Sequence, residues 1–175
     1  MMIGLRPGSG IASARVAALV CLFAGGAANA QVNVTTYHND NLRTGWNQNE
    51  TTLTQGNVSN STFGLLQTVP LDDQVDAQPL VVSGVTINGT QHNVVYVATE
   101  NNSVYAIDAQ SGQILLQTNL GSPVPWYDLP GGCNNNGPDV GINSTPVIDT
   151  STGAIYVIAL TLPTNSPTPA YYLHA

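Results

Sequence analysis

The densest set of oxygen ligands in the chain is the acidic run Asp72, Asp73 and Asp76, which surrounds Gln74. Carboxylates so closely spaced could hold calcium, a hard cation that takes about six to eight oxygens. The run lacks the central glycine and terminal glutamate of an EF-hand loop, so a solvated acidic loop is the simpler reading. The histidines, His38, His92 and His174, are scattered. No His-x-His, HExxH or Cys-His spacing suited to zinc occurs, which points to structural or surface roles. Nothing marks a nucleophile elbow for a Ser/His/Asp triad. No residue is therefore assigned to catalysis, to a cofactor or to a metal.

Two other positions could carry chemistry. Arg43 could anchor an anionic ligand through its bidentate fork. The plainer alternative is an ion pair that holds the N-terminal segment. The stretch Gly131-Gly132-Cys133-Asn134-Asn135-Asn136-Gly137-Pro138-Asp139 is dense in turn formers. It lies in a long loop, 121–143, and long loops on a rigid scaffold often carry function. Asp139 or Asn143 could line a channel there, against simple turn chemistry as the alternative.

Composition narrows the classes. Charged residues are only 7% of the 175 residues, and the formal charge is −7. The three cations are Arg6, Arg15 and Arg43, so lysine is absent. A Walker A lysine, a Schiff-base lysine and a Ser-Lys dyad are thereby excluded within this sequence. Binding to nucleic acid or to anionic lipid, which needs Lys/Arg neutralisation, is disfavoured.

Residues 1–30 differ in kind. Arg6 and Arg15 lie in a Gly/Ser/Ala-rich stretch, Val16 to Phe23 is a short apolar run, and Ala28-Asn29-Ala30 places small residues where signal peptidase reads. The pattern predicts a signal-peptide helix, too short to span a bilayer, cleaved after Ala30 to expose Gln31. A lipoprotein site at Cys21 is disfavoured by Val20 before it. The expected location is secreted or periplasmic, with no membrane span left after cleavage. The mature part keeps one arginine against ten carboxylates, a charge of −9. It also keeps one cysteine, Cys133. Either this is a free buried thiol, or its partner lies in sequence not present here.

The elements that must position these residues read as strands. Short apolar stretches recur between turn residues, with no useful amphipathic helical run. Strands are predicted at Phe63–Val69, Pro79–Ser83, Asn93–Thr99, Ser103–Asp108, Gln113–Thr118, Thr145–Asp149, Ala154–Leu160 and Tyr171–Ala175. Val94 to Thr99 is apolar on both faces, which predicts burial on both sides by stacked sheets. Glu100-Asn101-Asn102-Ser103 is expected to reverse the chain. Asp108 to Gly112 and Asp149 to Gly153 both place Asp four residues before Gly. Each is expected to open with a side-chain-capped amide and close with positive φ.

These segments repeat. Ala77 to Val82 aligns with Ser144 to Asp149, Val94 to Ala98 with Ala154 to Ile158, and Val104-Tyr105-Ala106 with Leu173-His174-Ala175. The offsets are 67, 60 and 69, so the loops vary while the strands persist. The two Asp-to-Gly turns are read as parts of the same repeat.

At Val104-Tyr105-Ala106-Ile107-Asp108-Ala109-Gln110-Ser111-Gly112-Gln113-Ile114-Leu115 the sequence resembles the pyrroloquinoline-quinone (PQQ) propeller repeat. Leu116 stands where that repeat has its docking tryptophan. Tyr37 to Gly45, Ala77 to Leu80, Val97 to Glu100 and Gly141 to Asp149 extend the likeness to a secreted bacterial subgroup of quinoprotein-like propellers. The resemblance implies an all-β fold: an incomplete PQQ-like β-propeller domain over 31–175, built of four-stranded antiparallel sheets. About two blades and the start of a third are expected, since blades run roughly 40–50 residues and propellers need about 4–8. Further blades would be needed for closure. The expected function is a binding or scaffold module with an unidentified small-molecule or protein partner. Two alternatives stand beside it: the N-terminal part of a PQQ-dependent oxidoreductase, with PQQ and calcium in a full-length form, and an outer-membrane assembly scaffold. The family's adjacent cysteines and its haem motif are absent, so none of its functional residues is carried over.

Overall fold

Hairpin signals in the sequence become a succession of antiparallel strands. In the computed structural model the described residues are 33–129, 131, 137–164, 166 and 168–175. The predicted signal peptide and Cys133 lie outside them. The strands are β1 (Leu80–Ile87), β2 (Thr90–Ala98), β3 (Ser103–Asp108), β4 (Ile114–Asn119), β5 (Val124–Pro125), β6 (Asp139–Val140), β7 (Val147–Asp149), β8 (Ala154–Thr161) and β9 (Ala170–His174). No α-helix occurs among the described residues; one 3-10 turn covers Trp126–Asp128. Among the described residues the strands form three antiparallel sheets, β1-β2-β3-β4, β5-β6 and β7-β8-β9, and none of these closes on itself.

Each hairpin has a local cause. Asn88 and Gly89 both take positive φ, 51° and 81°, the turn whose twist suits two antiparallel strands. Asn102, at φ 57°, closes the β2–β3 turn, where its amide donates to the Thr99 carbonyl at 3.0 Å. The two Asp-to-Gly turns behave as expected. Asp108 Oδ1 accepts from the Ser111 amide at 2.7 Å, and the Gly112 amide returns to the Asp108 carbonyl at 2.8 Å. Asp149 Oδ1 accepts from the Ser151 amide at 2.9 Å, and Gly153 returns likewise at 2.9 Å. They are not repeat mates, however. The first joins β3 to β4 and the second joins β7 to β8, so one device serves different hairpins.

The aligned strands do repeat in three dimensions. Leu80 pairs with Tyr96, and their aligned counterparts Val147 and Tyr156 pair with each other. Val97 pairs with Tyr105, as Val157 does with His174. The register of the first sheet is thus copied in the second, although the connecting loops differ in length.

Successive side chains of a strand face opposite ways. On one face of the first sheet, Ala98 and Val104 join Val157, Ala159 and Ile155 of the second sheet in one cluster with Ala77, Ile142 and Leu120. On the other face, Val97, Tyr105 and Ile107 pack under Val69 and Leu71. Both faces of β2 are covered, as its two-sided apolar run predicts. A fully buried aliphatic side chain such as Leu80 or Val94 contributes about 1.5–3 kcal/mol. The small β5-β6 sheet packs Val124 and Val140 on Leu160 of β8.

Two expectations are corrected. Phe63–Val69 is not a strand; it lacks a pairing partner, and Leu65 and Leu66 are 85% and 92% exposed. The 121–143 loop is not wholly irregular, since it contains β5, the 3-10 turn and β6. Among the described residues the second sheet has three strands, at the three places expected, Thr145–Asp149, Ala154–Leu160 and Tyr171–Ala175.

Candidate functional site

Three pieces of chain converge at one end of the stacked sheets: the β2–β3 turn, residues 72–78 before β1, and residues 141–145 before β7. Their centre is Glu100, whose side chain is 1% exposed. A buried carboxylate is tolerated only when it is hydrogen-bonded. Glu100 Oε2 accepts from the Gly141 amide at 2.7 Å, and Oε1 accepts from Asn143 Nδ2 at 2.8 Å. The Glu100 amide donates to the Gln74 carbonyl at 2.9 Å. Beside it, Asn102 is fully buried and donates through Nδ2 to the Leu160 carbonyl at 2.8 Å and the Gly121 carbonyl at 3.3 Å. Gly141 is required by crowding: a Cβ there would stand 2.2 Å from the Glu100 carbonyl oxygen.

Outside this buried pair opens a cleft of about 410 Å³ lined by Tyr37, Asp76, Asn143, Ser144 and Thr145. Its lining presents phenol, carboxylate, amide and hydroxyl groups. Gln74 Nε2 donates to Asp76 Oδ1 at 2.6 Å, which fixes that carboxylate at the rim. The floor is tied across the repeat. The Gln78 amide donates to Thr145 Oγ1 at 2.9 Å, and these residues occupy matching repeat positions. The N-terminal segment supplies a third wall. Val34 exchanges backbone bonds with Val81 of β1 at 2.8 and 2.9 Å, while the Thr35 carbonyl accepts from Ile148 of β7 at 2.8 Å.

The candidate residues fall into distinct places. Asn143 reaches the site. Asp139 does not; it pairs with Pro125 in the β5–β6 ladder. Asp76 lines the cleft, whereas Asp72 locks the β2–β3 turn by accepting from Thr99 Oγ1 (2.8 Å), Asn101 Nδ2 (2.8 Å) and Ser103 Oγ (2.5 Å). Burial alone would push the Asp72 carboxyl up, but hydrogen bonds from Ser103, Asn101 and Thr99 outweigh it and hold the carboxyl below its usual value. Among the described residues no group of three or more His, Cys, Asp or Glu is placed to hold a metal ion.

Arg43 holds the N-terminal segment, but not through a carboxylate. Its Nη1 donates to Thr36 Oγ1 and the Tyr37 carbonyl, both at 2.7 Å, and the guanidinium lies 5.8 Å from the Tyr37 ring centre. His38 stacks on Tyr37 at 3.9 Å. His92 Nδ1 meets Asp108 Oδ2 at 2.7 Å, a contact that, with bonds from Ser111, holds the Asp108 carboxyl far below its usual range. His174 lies in an apolar groove between the sheets together with Leu116.

Sequence reasoning treats Glu100 only as a turn residue and misses its buried side chain. The available signal is its place directly after a strand apolar on both faces, in a chain with few charges. Comparison with family models, with curated proteins and with solved structures finds no match for this chain.

Proposed function

We propose that the chain is an exported binding or scaffold module whose repeats are blades of a PQQ-repeat-like β-propeller. Its ligand end is the Tyr37–Asp76–Asn143 cleft above Glu100. One observation carries this reading: the repeat mates Gln78 and Thr145 touch. Two repeats whose matching positions meet are related by rotation about a nearby axis, as blades around a central channel are. The copied registers and face-to-face stacking support the same arrangement.

PQQ is a poor fit to the described residues. A tricarboxylate calls for cations, the cleft presents Asp76, and the Arg43 Nη1 donor is engaged by Thr36 and Tyr37. The proposal therefore includes no cofactor and no redox step. It is tested on the exported protein, with Gln31 expected as the first residue by N-terminal sequencing. Titration with PQQ in calcium buffer is expected to give neither saturable binding nor dye reduction. Binding accompanied by dye reduction would reassign the chain to the quinoprotein oxidoreductases.

A further inference from the structure

Trp46 is 64% exposed, although an indole has a large apolar surface to hide. Its backbone is nevertheless fixed. The Trp46 amide donates to Thr44 Oγ1 at 3.3 Å, and its carbonyl accepts from Asn39 Nδ2 at 2.9 Å. Asp40 ties the same coil: Oδ1 accepts from the Leu42 and Thr44 amides at 2.8 and 3.2 Å, and Oδ2 accepts from the Thr44 hydroxyl. The Gly45 amide returns to the His38 carbonyl at 2.9 Å. His38, Asn39 and Arg43 take positive φ, a conformation that persists only where the surroundings enforce it. The coil is pinned to β1, where Asn33 Oδ1 accepts from the Ser83 amide at 2.9 Å.

Beside the indole lies a cleft of about 250 Å³. The rest of its lining is Asp40, Gln48 and four asparagines, Asn33, Asn39, Asn47 and Asn49. All of these lie within residues 33–49, so the cleft is built by one local segment. It is separate from the Tyr37–Asp76–Asn143 cleft, with which it shares no residue.

We propose that this cleft binds a neutral saccharide, with one sugar ring laid against Trp46. The site is local and stands whether or not the repeats are blades. A sugar hydroxyl both donates and accepts, and a side-chain amide presents a donor and an acceptor side by side. The bonds within the coil engage one end of two of these amides and leave the other, Nδ2 of Asn33 and Oδ1 of Asn39, for a ligand. Gln48 and Asn49 add further donors and acceptors. The C–H face of a sugar ring is apolar, and laying it on the indole removes both surfaces from water.

Charge argues against the other ligand classes. No Lys or Arg lines the cleft and the chain carries a formal charge of −7, so an anion finds no counter-charge. A cation could use the indole face and Asp40. Asp40, however, is already held by Leu42 and Thr44, and the amide donors of the lining would have nothing to bind. The volume lies below the roughly 300–1,000 Å³ of clefts that enclose drug-sized ligands, so a single ring is held while the rest of a glycan stays in solvent.

The test is calorimetric titration of the full mature chain with cellotetraose, xylotetraose, chitotetraose and maltotetraose in turn, and with tetramethylammonium chloride. Saturable binding of at least one saccharide is expected, with a dissociation constant of about 0.1–1 mM. Trp46→Ala should weaken it about tenfold or more, as loss of an aromatic anchor does, while Trp46→Phe keeps a ring and should stay within about threefold. Gln48→Ala, at an exposed side chain, should weaken it about threefold with an unchanged Tm. Failure of every saccharide to saturate by about 10 mM would overturn the proposal. So would saccharide binding that Trp46→Ala leaves intact, which would place the sugar elsewhere on the chain. Tetramethylammonium binding without saccharide binding would reassign the cleft to cations.

Discussion

Replacing Gly141 by alanine tests the packing around the buried carboxylate. The added Cβ would stand 2.2 Å from the Glu100 carbonyl oxygen and 2.5 Å from Asn102 Oδ1. The first of these is backbone, which cannot swing aside as the tip of a long side chain can. Overpacking of this kind costs about 1–3 kcal/mol. Relief by moving the two segments apart stretches the bond from the Gly141 amide to Glu100 Oε2, and leaving such a buried group unsatisfied costs about 1–3 kcal/mol. Together these predict a loss of about 2–6 kcal/mol, a large share of the roughly 5–15 kcal/mol available to a domain. Urea denaturation followed by tryptophan fluorescence measures it as a fall in midpoint. Gly153→Ala is the control. It meets open space at φ +73°, so it carries only left-handed strain of about 1–2 kcal/mol. A Gly141→Ala protein no less stable than Gly153→Ala would refute the claim that close contact, rather than backbone freedom, fixes this glycine.

Thr145→Val removes the acceptor for the Gln78 amide and should cost about 1–3 kcal/mol by the same denaturation assay. Leu80→Ala empties a fully buried site and should cost about 2–5 kcal/mol, measured as a shift in urea midpoint. Asp108→Ala should lower Tm more than Asp149→Ala, because Asp108 holds His92 as well as its turn; equal losses would show that the His92 contact adds nothing. Asp40, Glu50, Asp72, Asp108 and Asp149 all have carboxyls lowered in the folded protein. The stability they supply is complete above the unfolded value near pH 4 and is lost as pH falls through their folded values. Tm should therefore decline on acidification below about pH 4, and a Tm that rises there would contradict the hydrogen-bond origin of these shifts.

The strands most legible in the sequence were those whose pairing is local. Ser103–Asp108 matches β3 at both ends, and the Asp-to-Gly turns behave as their chemistry requires. Phe63–Val69 has the same residue types, but strand formation needs an edge to pair with, which no local pattern reports. β5 and β6 were invisible for the opposite reason. Two residues each, in a Pro/Gly-rich loop, they are held by Val124 and Val140 packing on Leu160, a contact set by distance in space. Of the site, Asn143 was visible as a loop residue, but Glu100 was hidden because its burial depends on Gly141, 41 residues later. Aligning the repeat identifies Gln78 and Thr145 as equivalent but carries no information that they meet in space.

The first sheet is made wholly of sequential neighbours, β1 to β4 in order. Its contacts are short in sequence, and such contacts form early because little loop entropy opposes them. A chain delivered from its N-terminus can therefore finish this sheet before β7 is available. Its completed face, with Ala98 and Val104 presented together, then acts as a template on which β8 lays down Val157 and Ala159. Order of arrival would thus help the second sheet to find its place.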